Sequence, residues 1–334
     1  MTTALSNIAW ISPFVSIAKG EDVSGNIQTI IKTIGLPLAG LLVFLMIWQA
    51  AASNINTSLG QFPGPGDVVT QTKGLLSEHF TEREKAEAFY ERQEKRNAAR
   101  VKQDPTYVPK IRDYTGKPTY IDQIGTSLVT VLSGFVLASL IAIPFGIVIG
   151  LSANLYSAFN PVIQIFKPVS PLAWLPIVTM VVSALYVSDD PMVPKSFVTS
   201  MITVMLCCLW PTVINTAVGV ASIPKDLVNV SQVLRLSYME HVRKIVLPSS
   251  IPMVFTGLRL SLGIAWMVLI AAEMLAQNPG LGKFVWDEFQ NGSSDSLGRI
   301  MVAVITIGLI GFLLDRVMLM IQRKVSWDKS AATR

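Results

Sequence analysis

Long apolar runs without charged side chains alternate with polar segments along this chain. Residues 33–66, 123–166 and 196–224 contain no Asp, Glu, Lys or Arg. A helix needs about 20 consecutive apolar residues to cross the hydrocarbon core of a bilayer. Each run meets that length, so the pattern predicts an all-α, polytopic membrane protein.

Six membrane-spanning helices are predicted from the apolar pattern as a whole. Their approximate bounds are 34–51, 126–151, 169–187, 197–221, 250–275 and 300–321. Prolines within the third and fourth spans leave backbone groups unpaired, and neighbouring helices or a wet cavity must satisfy them. A further apolar stretch at 8–18 is too short to span, so we expect an interfacial helix there.

A stripe of small side chains marks the second predicted span. Its five members lie four residues apart: Gly134, Ala138, Ala142, Gly146 and Gly150. On a helix, this spacing creates one face along which another backbone can approach closely. Two interpretations remain open, namely packing within the subunit and contact between subunits.

Polarity divides the chain into five segments. They are an N-terminal cytoplasmic or interfacial segment (1–33), a first transmembrane helix (34–51), a polar insert (52–122), a membrane core (123–323) with a loop at 222–249, and a tail (324–334). Within the insert, Thr81 and Glu84 have the spacing of a capping box. We therefore expect one solvated helix from there to about residue 103, with Glu91 and Lys95 paired on its surface.

Composition and charge position refine this picture. Only 15% of residues are charged, against about 25% in soluble domains, which excludes a soluble enzyme. Cytoplasmic loops of membrane proteins carry an excess of Lys and Arg. The 222–249 loop is +2 and the chain from residue 316 is +4, whereas 273–299 is −2. These values predict that the loop and both termini are cytoplasmic and that the 52–122 insert is periplasmic.

The chain carries no signature of catalytic, cofactor or metal chemistry. Residues 280–283 read Gly-Leu-Gly-Lys, but Gln277 stands where a phosphate loop requires its first glycine. The two cysteines are adjacent and the two histidines are far apart, so no metal-ligand spacing is present. An ion-coupled carrier usually needs buried carboxylates in mid-membrane, and an intramembrane enzyme needs catalytic side chains within its spans. Glu273 and Asp315 are expected near the ends of their spans, so the sequence favours neither class. We therefore expect a partner to supply the energy for any transport.

The loop at 229–248 resembles the coupling loop of ATP-binding-cassette importer permeases. That family's pattern is E-A-A, three residues, G, nine residues and I-x-L-P. Ile245, Leu247 and Pro248 match the end of the pattern at the right distance. The start departs from it, because Asn229 to Ser231 replace E-A-A and Arg235 replaces the glycine.

The resemblance covers about residues 125–323. The segments 166–176, 256–266, 271–275 and 279–289 look like those of the nitrate, sulfonate and taurine branch, and most like its nitrate-type permease, which has a close bicarbonate relative. The resemblance implies the type I importer permease fold and a small anion substrate: nitrate and nitrite, with bicarbonate or a sulfonate such as taurine as alternatives. The 81–122 stretch is not part of the common core.

The same resemblance implies the partners and the coupling site. ATPase subunits, a periplasmic or lipid-anchored solute-binding protein and a second permease copy would complete a homodimeric importer of the bacterial inner membrane, without nucleic acid. A short helix bearing Val230, Val233, Leu234 and Leu236 would seat in an ATPase groove, and Pro248 would end that element. The alternative is a basic amphipathic loop lying on the inner leaflet. The full set of expected coupling residues is Asn229, Val230, Ser231, Val233, Leu234, Arg235, Leu236, Ser237, Ile245, Leu247 and Pro248.

Six residues are candidates for the translocation pathway: Trp174, Met180, Arg259, Trp266, Met267 and Glu273. Arg259 lies eleven residues beyond Pro248, hence ~16 Å from the loop at 1.5 Å per residue, near mid-span. It is either an anion ligand or a structural cation paired with a carboxylate or snorkelling. Glu273, at the outer end of its span, is either a gating or docking residue or a solvated cap. For the other four, lipid-facing or core packing is the alternative.

Overall fold

The architecture is that of a computed structural model, which describes residues 17, 23–57, 60–104, 106–187 and 192–325. Apart from residue 17, the expected interfacial helix at 8–18 lies outside the described residues, as does the tail from 326. In this part of the chain the fold is helical, with a two-stranded antiparallel hairpin formed by Asn56–Thr57 and Gly60–Gln61. The helices are α1 (Val23–Ile30), α2 (Leu36–Asn54), α3 (Pro65–Gln103), α4 (Tyr120–Gly150), α5 (Ala153–Phe166), α6 (Pro171–Leu185), α7 (Lys195–Ala221), α8 (Lys225–Val233), α9 (Tyr238–His241), α10 (Leu247–Ala276), α11 (Leu281–Asn291) and α12 (Ser296–Val325).

The predicted all-α fold with about six long apolar helices is confirmed. Five continuous helical stretches among the described residues are long and apolar enough to span a membrane, and the pair α5 and α6 makes a sixth if it counts as one bent span. The five are Gly25–Asn54, Tyr120–Gly150, Lys195–Ala221, Tyr238–Ala276 and Ser296–Val325. The first span begins earlier than predicted, because a π-helical turn at Ile31–Gly35 carries α1 into α2 without a break.

The third span differs from the prediction. The helix α6 is shorter than 169–187, and α5 precedes it at an angle of 98°. The break falls at residues 167–170, where Pro168 and Pro171 disfavour a helical residue before each of them. Ser170 then begins α6, since its hydroxyl accepts the N–H of Leu172. The sequence did not reveal α5, because the run from 123 to 166 places no charged residue between α4 and α5.

In the described part of the polar insert, one helix lies between α2 and α4, as predicted, but it begins earlier than predicted. The helix α3 begins at Pro65, where the Asp67 carboxylate accepts the N–H of Gly64 (2.8 Å). Thr81 lies in mid-helix, and its hydroxyl donates to the carbonyl of Ser77 (3.0 Å). A Thr-x-x-Glu spacing inside a helix therefore imitated a cap. The ion pair between Glu91 and Lys95 is confirmed.

The small-residue stripe of α4 packs against α7 in the same chain. A Cβ added to Gly146 would lie 2.6 Å from the Cβ of Thr216, and one added to Gly150 would lie 2.8 Å from the carbonyl oxygen of Ala217. Gly134 makes the same kind of close approach to α7. Of the two open interpretations, packing within the subunit is the one that the structure confirms.

Polar contacts join the insert to one end of the helical bundle. The Gln71 amide donates to Asp295 at the start of α12 (3.0 Å), and His79 bonds Thr119 at the start of α4 (2.6 Å). Residues 222–246 lie at the opposite end, where Val246 packs with Ile147 and Val220 at the far ends of α4 and α7. The insert and the expected coupling loop are thus at opposite ends of the bundle.

Candidate coupling surface and translocation residues

The turn between α8 and α9 explains the unexpected arginine. The N–H of Leu236 donates to the carbonyl of Ser231 (3.1 Å), and the N–H of Arg235 donates to that of Gln232 (3.0 Å). This pair of bonds is a Schellman motif, whose residue after the helix adopts a left-handed conformation and is usually glycine. Arg235 has φ +48°, in that region. The chain therefore keeps the backbone turn that the glycine of the family pattern would favour, at a cost on the order of 1 kcal/mol.

Two side-chain contacts make this loop a fixed unit. The buried Ser231 hydroxyl lies 2.8 Å from Nδ1 of His241 and so ties α8 to α9. Ser237 begins α9, where the Glu240 carboxylate accepts its N–H (3.2 Å) and its hydroxyl accepts the N–H of Glu240 (3.4 Å). The ten-residue separation of Ser231 and His241 carries no sequence signal, so sequence analysis did not find this contact.

The outer surface of the loop carries several exposed apolar side chains among its polar ones. We use the name coupling face for five exposed residues: Val230, Val233, Leu234, Tyr238 and Met239. Val233 is 81% exposed and Leu234 63%. Leu236 was expected on this face, but it is half-buried because the left-handed turn at Arg235 directs the chain back toward α9. Tyr238 and Met239 belong to the coupling face although the sequence did not predict them. Asn229 and Ser237, which were predicted, are exposed polar residues beside it.

The expected end of the loop at Pro248 is wrong. Helical structure runs without interruption from Tyr238 to Ala276, through a π-helical turn at Val242–Val246. In that turn the N–H of Leu247 donates to the carbonyl of Val242, five residues back. Pro248 follows in the first turn of α10, where its missing N–H is tolerated. Ile245 and Leu247 therefore belong to a rigid connection into the membrane helix.

Arg259 is paired within the subunit. Its Nε lies 2.5 Å from Oδ1 of Asp315 and its Nη2 lies 3.0 Å from Oδ2, so the contact between α10 and α12 is bidentate. Each side chain keeps more than a third of its surface exposed. The pair borders a cavity of about 180 Å³ beside Trp266 and Gly311. The interpretation of a cation paired with a carboxylate is confirmed, and a role as anion ligand stays a prediction.

Glu273 is fully buried, so its interpretation as a solvated cap is wrong. Its carboxylate accepts bonds from the hydroxyl of Ser127 (2.8 Å) and the N–H of Gly282 (3.0 Å). A Cβ on Gly280 would collide with this carboxylate, and one on Gly282 would collide with the carbonyl of Ile270. The glycines of the 280–283 segment therefore let α11 approach α10. Any gating role of Glu273 acts through this junction, since the side chain has no open surface.

The other four pathway candidates lie in different environments. Trp266 is buried, and its Nε1 donates to the carbonyl of Ile307 on α12 (2.9 Å). Trp174 is half-buried and stacks on Phe166, with ring centres 5.7 Å apart. Met180 and Met267 are exposed on α6 and α10. The described residues thus do not gather the six candidates into one site, and their contact with a substrate stays a prediction.

A family model decides the identity of the fold and its role. The model described as "Binding-protein-dependent transport system inner membrane component" matches residues 142–327. The chain belongs to this family. As a member it is a multi-pass inner-membrane permease subunit of an ATP-binding-cassette transporter and not an enzyme. The matched range includes the whole coupling face and excludes the insert helix α3.

Relatives of the permease family place the chain more finely. It is 38% identical over 207 residues to the nitrate import permease protein NrtB of Leptolyngbya laminosa, covering 62% of this chain and 69% of that relative. It is 35% identical over 291 residues to the bicarbonate transport system permease protein CmpB of Synechococcus elongatus, covering 86% and 88%. NrtB of the same organism matches at 35% over 289 residues, with the same coverage.

A solved structure has the permease fold. A chain of the inward-facing MetNI methionine ABC transporter superposes with a TM-score of 0.52, covering 62% of this chain and 96% of that one. The two sequences are 16% identical, so this likeness concerns the fold alone. It agrees with the predicted type I importer permease fold.

Proposed function

We propose that this chain forms the membrane pathway of an ATP-driven importer for a small monovalent oxyanion, with nitrate and nitrite as the first candidates. The supporting observation is its family membership, together with relatives named for nitrate and bicarbonate import. Nitrate and bicarbonate are both planar anions with a single negative charge and similar size. A pathway that passes one therefore meets most of the physical demands of the other.

Bicarbonate is the second candidate, and one observation favours it. In Synechococcus elongatus the bicarbonate and the nitrate permease are both 35% identical to this chain over nearly the same length. Conduction requires weak, reversible binding in the pathway. We therefore assign the choice between these anions mainly to the solute-binding protein rather than to this subunit.

We further propose that the coupling face docks in a groove of an ATPase subunit. Five exposed apolar side chains belong to α8, α9 and the turn between them, and helical structure continues from α9 into α10. A helix that inserts its apolar face into a groove is a common mode of protein recognition. Because helical structure links Tyr238 to Ala276, displacement of the loop would move α10 as a rigid body. A loop lying on the inner leaflet is the alternative, and it predicts no loss of ATPase binding on mutation.

The proposed assembly is a homodimer of this chain with two ATPase subunits and an external binding protein. Basic residues concentrated at the loop and toward the C-terminus support a cytoplasmic position for both termini and a periplasmic position for α3. Met180 and Met267 lie on the outside of the single chain, which suits a pathway lined from two copies.

The substrate proposal is tested by uptake in a strain that lacks only this subunit. Nitrate, nitrite, bicarbonate and taurine uptake are each measured, and the intact chain is restored as the control. We expect nitrate and nitrite uptake to fall and to return with the restored chain. Loss of bicarbonate uptake alone would favour the second candidate. Unchanged uptake of all four anions would contradict the proposed function.

A further inference from the structure

A lysine occupies the bend between α5 and α6. Lys167 directly follows the last residue of α5. Two residues separate the end of α4 from the start of α5, and α5 runs back along α4. Phe159 meets Phe145 with ring centres 5.3 Å apart, and Ile163 shares a buried cluster with Ala142. The end of α5 is therefore well away from the end of the bundle that carries the coupling face.

Ring stacking fixes the depth of this lysine. Phe166, its immediate neighbour, stacks on Trp210 of α7 with ring centres 6.1 Å apart and planes 12° apart. Trp210 lies eleven residues before the end of α7 and fifteen after its start, hence ~16 Å and ~22 Å from those ends at 1.5 Å per residue. Lys167 thus lies level with the middle of α7, a helix that is long enough to span the bilayer.

The Lys167 side chain is exposed at this depth, and it has no ion-pair or hydrogen-bond partner among the described residues. A charged side chain at mid-membrane is costly in lipid, so such residues face a water-filled cavity or a partner. Its four-carbon stem is far too short to bring the ammonium to either end of α7. Lipid is therefore not a suitable environment for this group.

Two backbone N–H groups at the bend and one other cation are already satisfied, whereas the indole N–H groups of Trp174 and Trp210 are buried without a partner. The N–H of Leu172 is bonded to the Ser170 hydroxyl, and the N–H of Trp174 to the Ser170 carbonyl. The guanidinium of Arg259 is paired with Asp315. Lys167 is the cation in this part of the described core that retains all three of its donors for another ligand.

We propose that Lys167 is an anion-binding residue of the translocation pathway, where its ammonium faces water at mid-depth and contacts the anion as it passes. This assignment rests on the proposed function as an anion importer. An ammonium is a compact, hydrated charge that contacts a planar oxyanion without a rigid two-point grip. Such a contact attracts the anion and still releases it, as conduction requires.

Transport by the reconstituted complex tests the role of the charge. We compare Lys167→Met and Lys167→Arg with Lys102→Met, which removes a charge from the exposed surface of α3. Lys167→Met is expected to lower maximal nitrate uptake roughly tenfold. A close contact between opposite charges in a partly desolvated site is strong enough to change a rate by at least that factor. Lys167→Arg should retain most uptake, and the ATPase rate should change less than twofold in all three variants. Equal uptake by wild type and Lys167→Met overturns the proposal.

Thiol labelling tests the position independently of the substrate. A charged, membrane-impermeant thiol reagent is applied from each side to the complex carrying Lys167→Cys, with Ile165→Cys as the control from the opposite side of α5. Both native cysteines are buried, which keeps the background low. Labelling at 167 without labelling at 165 is expected, and an unreactive 167 overturns the proposal. If the wild-type complex imports neither nitrate nor bicarbonate, the proposed function is wrong. If the wild-type complex imports them and Lys167→Met does so equally well, only the role of Lys167 in anion binding is wrong.

Discussion

The guanidinium of Arg259 forms a two-point ion pair with the carboxylate of Asp315, and this pair joins α10 to α12 within the membrane core. It accounts for the cation that the sequence placed in mid-span. Because the two opposite charges are in direct contact, the pair costs less in a membrane than either charge alone. Its position beside a cavity leaves it open to a second role in transport.

Removing one partner of this pair should destabilise the protein more than removing both. Asp315→Asn leaves an unpaired guanidinium, for which we expect a loss of about 1–2 kcal/mol, less than for a fully buried pair because both side chains are partly exposed. The double variant Arg259→Leu with Asp315→Leu should recover part of that loss. Thermal unfolding in detergent measures both, and a double variant less stable than Asp315→Asn would contradict a structural pair.

Glycine at position 235 should stabilise the chain. Arg235 holds a left-handed backbone conformation in the Schellman turn after α8. Arg235→Gly removes the steric cost of that conformation, so we expect a gain on the order of 1 kcal/mol. Arg235→Val is the control, because a β-branched residue resists positive φ most strongly. Unfolding midpoints should rank glycine above arginine and arginine above valine, and any other order would refute the assigned turn.

Two glycines of α4 should respond in opposite ways to alanine. A Cβ at Gly146 would meet Thr216 and the carbonyl of Val213, whereas nothing lies within 4 Å of a Cβ at Gly125. Gly146→Ala should lose about 1–3 kcal/mol through overpacking. Gly125→Ala should be neutral or gain up to about 1 kcal/mol of helix propensity. Thermal unfolding separates the two, and equal responses would argue against close packing of α4 on α7.

The packing of the polar insert should depend on pH at both extremes. The Tyr114 hydroxyl donates to Oε1 of Glu82 (2.7 Å), which lowers the pKa of Glu82 below 4.5 and raises the pKa of Tyr114 above 10. The lowered carboxyl pKa contributes stability that is lost as the pH falls through the value in the folded protein. The raised phenol pKa contributes stability that is lost as the pH rises through its folded value.

Hydrogen exchange of residues 106–118 measures this dependence. Protection should be flat from about pH 5 to 9, outside the range of both titrations, and should decrease beyond those limits. Tyr114→Phe serves as the control, since it removes the shared hydrogen bond and should flatten both edges. A profile that Tyr114→Phe leaves unchanged would show that the contact does not hold residues 106–118 on α3.

The apolar pattern predicted the spans because burial in lipid is the strongest constraint on such a chain. It failed where the signal is local and ambiguous. The uncharged run through residue 166 gave no sign of a separate helix α5, and Thr81 has the spacing of a helix cap although it lies in mid-helix. The helix also continues through the π-helical turn before Pro248, where the sequence predicted an end. Such features depend on backbone hydrogen bonds that residue type alone does not determine.

The candidate site was predictable only in part, for the same reason. The exposed apolar residues of α8 follow helical spacing, so Val230, Val233 and Leu234 could be found from the sequence. The partner of Arg259 lies 56 residues away on another helix. The depth of Lys167 in the membrane follows only from the stacking of Phe166 on Trp210. Both depend on tertiary contacts.

Copurification of the ATPase subunits tests the central claim most directly, namely that the coupling face transmits ATP-driven motion. Val233→Asp with Leu234→Asp places two carboxylates in the expected groove, and Phe80→Asp on the exposed surface of α3 is the matched apolar-to-acidic control. We predict that the double variant loses the ATPase subunits and that Phe80→Asp retains them. ATPase subunits that remain bound to the double variant, with hydrolysis still coupled to uptake, would contradict the account.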